Sequence, residues 1–513
     1  MGIDGNTNGV GKVGPAAATA RELLRVPLLP EEQCRPAATV CVTGATGYVA
    51  GPIIARLLAA GHRVRATARD TSPSQPAVAA LLALPGASER LQLFAADLLQ
   101  LGSFDEAVAG CDVVIHTASP FALSVGRGQA RRLLLEPAVR GVENVIGAVN
   151  RSPCVRRVVL TSSIAATCAR ADDHHPRPRA HKASPSAATT AVASEAGAAS
   201  GSSKSDDPLL RDTNIAAPPD GPTDAPSSVS TSLEAGSGGS GGSESGATAG
   251  GGASGGHQGG GEDGVIDERH WNNVASEDFL PYSWSKTEAE RRAWELAAQQ
   301  DRWRLVSVLP GFVLGPCVGG GGGRSRSESV MLLRRLCEGA MWPAAPNMGL
   351  ATADVRDVAA AHCRAALLPG ASGRYLVVGG GTRMWRLTAL VAALYPGGAV
   401  RRSVAVAPRA LVAALGPAVL HLGSDVVEAT WGPPPRFSTR RAAEELGLRS
   451  WVPLEESLRD MVEDLASKGL VRHPLSRGGI VLGKQAAWLL ALGLVVLLAV
   501  VFGAAAALRT LRG

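Results

Sequence analysis

The stretch ATVCVTGATGYVAGPIIARLLAAGHRVRATARD, residues 38–70, decides the fold. Thr39 to Val42 is an apolar run of strand length that breaks at a glycine-rich turn. An amphipathic helix follows through Leu58, Gly61 stops it, and a second strand begins near Arg63, so the segment reads as the start of a βαβ unit. In such a unit Gly44 permits the tight turn, Gly47 lets the backbone approach a pyrophosphate, and Ala50 is small enough for the helix to pack on the sheet. Thr46, Tyr48 and Val49 complete the loop, and the helix N-terminus behind them faces the anion. A dinucleotide site is the expectation, on a doubly wound α/β sheet of the Rossmann kind.

The end of the second strand reports which dinucleotide. An NAD site usually holds the adenosine ribose with a carboxylate there, whereas RATARD places Ala68 at that position and Arg69 next. A guanidinium suits a 2′-phosphate, so NADP(H) is favoured over NAD(H). Asp70, one residue later, is the competing candidate. Further on, Asp97 and Leu98 follow a third strand, where the acid would accept from the adenine amino group or cap a helix. Another strand ends in Thr117, Ala118 and Ser119, and VRRVVLTSSIAAT ends in Ser162 and Ser163. Ligands of open α/β sheets sit at the carboxyl ends of strands, which turns these residues toward the cofactor.

The segment PYSWSKTEAE, residues 281–290, spaces Tyr282 and Lys286 four apart on a helix, which puts both on one face. A neighbouring ammonium stabilises phenolate and would bring a phenol of pKa about 10 closer to working pH. A glycine-rich βαβ start, a strand-end serine and then YxxxK, in that order, are far more specific than any of them alone.

Composition narrows the partners. The net charge of +6 is spread along the chain with no basic block, which disfavours nucleic acid. Cys34, Cys41, Cys111, Cys154, Cys168, Cys317, Cys337 and Cys363 lie far apart without a CxxC, which suits reduced thiols better than disulfides or zinc. His174, His175 and His181 have no companion ligands and read as a solvated loop, so no metal is expected.

The remaining segments set the domain layout. Residues 1–37 read as a disordered leader without a secretory signal. Residues 171–263 are rich in Gly, Ser and Ala without any period and read as a disordered insertion in a domain spanning 38–470. After a linker at 471–485, Ala486 to Leu508 is uncharged for about 23 residues, roughly 34 Å as a helix, and is expected to cross a bilayer as a single C-terminal transmembrane helix. So few residues follow it that insertion would come after synthesis, with the catalytic domain in the cytosol. The endoplasmic reticulum is favoured over an organelle outer membrane.

These motifs resemble the extended short-chain dehydrogenase/reductase family, of the NAD-dependent epimerase/dehydratase type, and within it the dihydroflavonol reductase and cinnamoyl-CoA reductase-like branch. The landmarks are VTGATGYVA, VRATARD, VIHTASP, VRRVVLTSS, YSWSK, LPGFVLGP (309–316), DVRDVAAAH (354–362) and LEESLRDMV. The resemblance implies a parallel sheet flanked by helices with a smaller C-terminal substrate lobe. It implies Tyr282 as proton donor, Lys286 on the nicotinamide ribose, Ser163 orienting the substrate carbonyl, and Pro310, Phe312 and Val313 lining the nicotinamide pocket. The implied reaction is NADP(H)-dependent reduction of a ketone or aldehyde, or its reverse, on a small or lipophilic substrate. A homodimer is left open. Two departures withhold a narrower activity: Cys168 stands where dihydroflavonol reductases carry an Asn, and DFLPYSWSK replaces the NWYCY-type stretch of cinnamoyl-CoA reductases. The alternatives are a 3β-hydroxysteroid or sterol dehydrogenase using NAD(P), a nucleotide-sugar epimerase or dehydratase, and a non-catalytic NADP-binding sensor or scaffold.

Overall fold

The structure, a computed structural model, describes residues 25–33, 36–120, 128–168, 264–318, 327–339, 341–398, 400–419 and 423–475. The insertion expected over 171–263 and the apolar run at 486–508 lie outside them. Among the described residues no helix is long and apolar enough to cross a membrane.

The glycine-rich unit folds as its pattern predicts. Strand β1 (Thr39–Thr43), helix α1 (Ala50–Ala59) and strand β2 (Arg63–Ala68) follow in turn, with β1 pairing parallel to β2. Strand β1 is apolar on both faces because it is covered on both, as parallel strands usually are. Strands β3 (Leu91–Ala95), β4 (Val113–His116), β5 (Arg157–Thr161), β6 (Arg304–Pro310) and β9 (Gly373–Val377) complete a seven-stranded sheet, all parallel, in the order β9-β6-β5-β4-β1-β2-β3. Helix α1 packs on one face beside α5 (Val355–Leu367). Helices α2 (Glu136–Arg151) and α3 (Pro281–Ala297) cover the other.

A second core belongs to the C-terminal lobe, built on a three-stranded sheet of β7 (Phe312–Leu314), β8 (Gly349–Asp354) and β10 (Gly380–Arg383). Around it lie α4 (Glu328–Cys337), α6 (Met384–Leu394), α7 (Ser424–Thr430) and α8 (Leu454–Ser467). Strand order reverses between β4 and β1, and that switch point faces this lobe. It is where an open α/β sheet offers a crevice to ligands.

Two boundaries differ from the expectation. Within the stretch read as leader, residues 25–33 are described and Pro30–Gln33 forms a turn of 3-10 helix. Its Glu32 is fully buried and accepts from Arg56 Nε at 2.6 Å on α1 and from Arg364 Nε at 3.0 Å on α5. A buried carboxylate needs such partners, and here it ties two helices together. Likewise Val471, placed in the linker, is buried in the C-terminal core.

Candidate active site

The floor of the cleft forms where β1 and β4 end. Gly44 has φ +70°, a left-handed conformation that glycine adopts without steric cost. A Cβ there would lie 2.9 Å from the Ala118 Cα, so the two strand-end loops touch through the absent side chain. Thr43 fixes this junction: its Oγ1 is 2.8 Å from His116 Nδ1 and accepts from the amides of Thr117 and Ala118 at 3.2 Å, while Thr117 Oγ1 donates to the Thr43 carbonyl. Burial, with Lys286 adding to it, holds the His116 imidazole down at about 3, so it is neutral.

Every residue expected at the site lines one cleft of about 2040 Å³. Gly44, Thr46, Gly47, Tyr48 and Val49 surround the start of α1, Arg69 follows β2, Asp97 and Leu98 follow β3, and Thr117, Ala118 and Ser119 follow β4. Ser163 follows β5, Tyr282 and Lys286 lie on α3, and Pro310, Phe312 and Val313 sit at the β6–β7 junction. The N-cap of α1, Val49, makes no side-chain capping bond, which leaves the helix N-terminus to an external anion. An uncapped helix, a glycine cradle and an exposed guanidinium together fit a dinucleotide phosphate chain, held by the backbone of residues 44–49.

Several local bonds engage residues for which the sequence left two readings. Asp70 Oδ1 accepts from the Ser72 amide at 2.8 Å and Oδ2 from Gln75 Nε2 at 2.7 Å. The acid competing with Arg69 is thus occupied by its own turn. Asp97 Oδ1 accepts from the Leu99 amide at 2.8 Å in a turn and caps no helix. Leu98 fills the space beside Gly141 on α2, where a Cβ would come within 2.7 Å of its Cδ2. The Tyr48 hydroxyl donates to the Gly315 carbonyl at 2.5 Å, joining the turn to the C-terminal lobe.

The three chemical groups converge. Ser163, extended at the end of β5, accepts the Ala165 amide at 3.2 Å and is hydrogen-bonded to the Tyr282 phenol. Lys286 is buried, and its Nζ donates to the Thr161 carbonyl at 3.2 Å. Burial pulls its ammonium down to about 8, against the raising influence of Glu290. The phenol departs from the expectation. Burial pushes Tyr282 well above its ordinary value, and the Ser163 bond offsets only part of that. It is a neutral phenol with a proton to give.

Sequence reasoning missed the support behind these groups. Glu290 lies one turn beyond Lys286, fully buried, with Ser162 Oγ donating at 2.6 Å and Arg374 Nε donating at 2.8 Å. Burial alone would raise its carboxyl, but the Arg374 guanidinium overrides this and holds it below the usual range. The i+4 spacing of Lys286 and Glu290 was a usable signal. Arg374, on the far edge strand, gave none.

Known proteins share parts of this sequence and its fold. Residues 44–204 match a family model described as NAD(P)H-binding. Cinnamoyl-CoA reductase CAD2 of Medicago truncatula is 29% identical over 432 residues, 84% of this chain and 96% of that protein. Cinnamoyl-CoA reductase 1 of Petunia hybrida reaches 47% identity, over 127 residues that make up 25% of this chain and 35% of that protein. Among solved structures, yeast methylglyoxal/isovaleraldehyde reductase Gre2 complexed with NADPH shares the fold, with a TM-score of 0.55 at 20% identity over 84% of this chain and 100% of that one.

Proposed function

We propose that this NAD(P)-dependent oxidoreductase, a member of the extended short-chain dehydrogenase/reductase family, reduces the carbonyl of a small or lipophilic ketone or aldehyde to an alcohol, or runs the reverse. The observation that carries the proposal is the meeting of Ser163, Tyr282 and buried Lys286 in one cleft, with Lys286 Nζ donating to the Thr161 carbonyl at the end of β5 at 3.2 Å. A reduced nicotinamide, when bound, supplies the hydride that the carbonyl carbon takes. Tyr282 gives the oxygen its proton, general acid catalysis that is worth about 10²- to 10⁴-fold. Ser163 donates to the same oxygen as charge develops on it. Lys286 holds a positive charge beside the phenol and stabilises the phenolate left behind.

NADP(H) is the cofactor this reading favours, because Arg69 is exposed at the end of β2 while the Asp70 carboxylate is engaged elsewhere. A lipophilic substrate suits the far wall, where Leu280, Met341, Met348, Met384 and Val426 line the cleft. The apolar run at 486–508 would tether the domain to the cytosolic face of a membrane, the endoplasmic reticulum first among candidates. Resistance of the full chain to carbonate extraction checks that.

The test of the chemistry is NADPH oxidation with a panel of aldehydes, ketones, flavonoids and sterols. Turnover of at least one carbonyl compound is expected, reduced about 10²- to 10⁴-fold in Tyr282→Phe with cofactor affinity retained. A Tyr282→Phe enzyme as fast as the parent removes the mechanism.

A further inference from the structure

The catalytic helix begins at a residue in a conformation that leucine rarely adopts. Leu280, immediately before Pro281 at the first position of α3, has φ +54° and ψ +57°. It is the sole non-glycine residue with positive φ among the described residues. A Cβ makes this region unfavourable, and a following proline restricts the backbone further. Such a conformation persists only where its surroundings fix it. One such tie is long-range: the Leu280 amide donates to Asp425 Oδ2 at 2.8 Å, 145 residues away in sequence.

One end of that bond lines the cleft, and the other lies on a helix that does. Leu280 is nearly buried and lines the cleft, its carbonyl accepts the Trp284 amide at 3.0 Å in the first turn of α3, and Tyr282 lies two residues on. Asp425 sits in the first turn of α7, whose Val426, Ala429 and Thr430 line the same cleft from the C-terminal lobe. The direction in which α3 leaves Leu280 sets where the Tyr282 phenol lies relative to Ser163. Asp425 therefore reaches the proton donor through a single backbone bond.

We propose that Asp425 is a positioning residue: it latches Leu280 in the left-handed conformation, so that alignment of Tyr282 with Ser163 depends on helix α7 of the substrate lobe. The kinetic side of this inference rests on the reductase reading above; the structural side does not.

Hydrogen–deuterium exchange of the peptide covering residues 276–284 in the full chain reads the latch directly, since the Leu280 amide is the donor. Asp425→Ala is expected to speed exchange there, and Asp425→Asn, which keeps an acceptor oxygen, to preserve most of the protection. With a responsive carbonyl substrate, Asp425→Ala should lower kcat roughly 10- to 100-fold, the scale of a small misplacement of a reacting group, with the KM for NADPH within about twofold. Asp425→Asn should retain most of the kcat that Asp425→Ala loses. If Asp425→Ala fails to fold, Asp425→Leu, of similar volume and without an acceptor, takes its place in the comparison with Asp425→Asn. Exchange at Leu280 unchanged in the variant without an acceptor, or as fast in Asp425→Asn as in that variant, overturns the latch. A parent enzyme that turns over no carbonyl compound overturns the reductase reading instead, and the exchange arm still decides the latch.

Discussion

Ser162 and Ser163, adjacent in the chain, bond in opposite directions: Ser162 Oγ donates inward to Glu290 at 2.6 Å, whereas the Ser163 hydroxyl meets the Tyr282 phenol in the cleft. One serine anchors the end of β5 and leaves the other lining the cleft. Through Glu290 the same anchor reaches Lys286, one turn away on α3.

That link gives a pH signature. Lys286 titrates at about 8, so its charge is complete below that value and lost as pH rises through it. Reduction measured as kcat/KM should fall on the alkaline side of about 8, the arm that reports the free enzyme. Glu290 raises the Lys286 value, so Glu290→Gln should move the falling arm to lower pH. Losing the buried charge opposite Arg374 should also cost about 3–5 kcal/mol of stability, read by denaturant unfolding. A parent profile flat from pH 7 to 10, or an arm that Glu290→Gln does not move, contradicts the assignment.

Cofactor choice is tested at Arg69. Its guanidinium is exposed beside the cleft while Asp70 is held by Ser72 and Gln75. Arg69→Asp should raise the KM for NADPH about 10- to 100-fold, the loss of one charge-assisted contact plus a new repulsion, and leave NADH within a few-fold. Equal effects on both cofactors would remove Arg69 from the 2′-phosphate.

Asp357 gives a stability test away from the chemistry. It is fully buried on α5; Oδ2 accepts the Val452 amide at 3.0 Å, and Oδ1 has no hydrogen-bond partner. Burial, joined by Asp354, raises its carboxyl to about 7. A folded value above the unfolded one favours the protonated form, so its contribution is full at acid pH and lost as pH rises through about 7. Asp357→Asn should therefore stabilise the protein by about 1–3 kcal/mol at pH 8 and by less at pH 5, measured by thermal unfolding. A larger gain at pH 5 reverses the sign and defeats the argument.

What the sequence made legible was local. Gly44, Gly47 and the helix through Leu58 lie within one βαβ unit, and the Tyr282–Lys286 spacing lies within one helix, so period and turn chemistry identify them. The doubly wound sheet followed from the same cues. Less legible were bonds between distant segments: Glu32 with Arg364, Glu290 with Arg374, and Leu280 with Asp425. Nothing in the local pattern of Glu32 separates a buried staple from a solvated leader acid. The Tyr282 phenol misled for a related reason. Its Lys286 neighbour was visible in the sequence, but the burial that raises the phenol's value was not.

One further consequence attaches to the seam beside Ser163. Asn272 donates from its amide to the Ala166 carbonyl at 2.9 Å and from Nδ2 to the Ala165 carbonyl at 2.8 Å. The loop that leaves Ser163 and the loop that leads to Tyr282 are thus stitched to each other, so that two side chains far apart in sequence share one local frame.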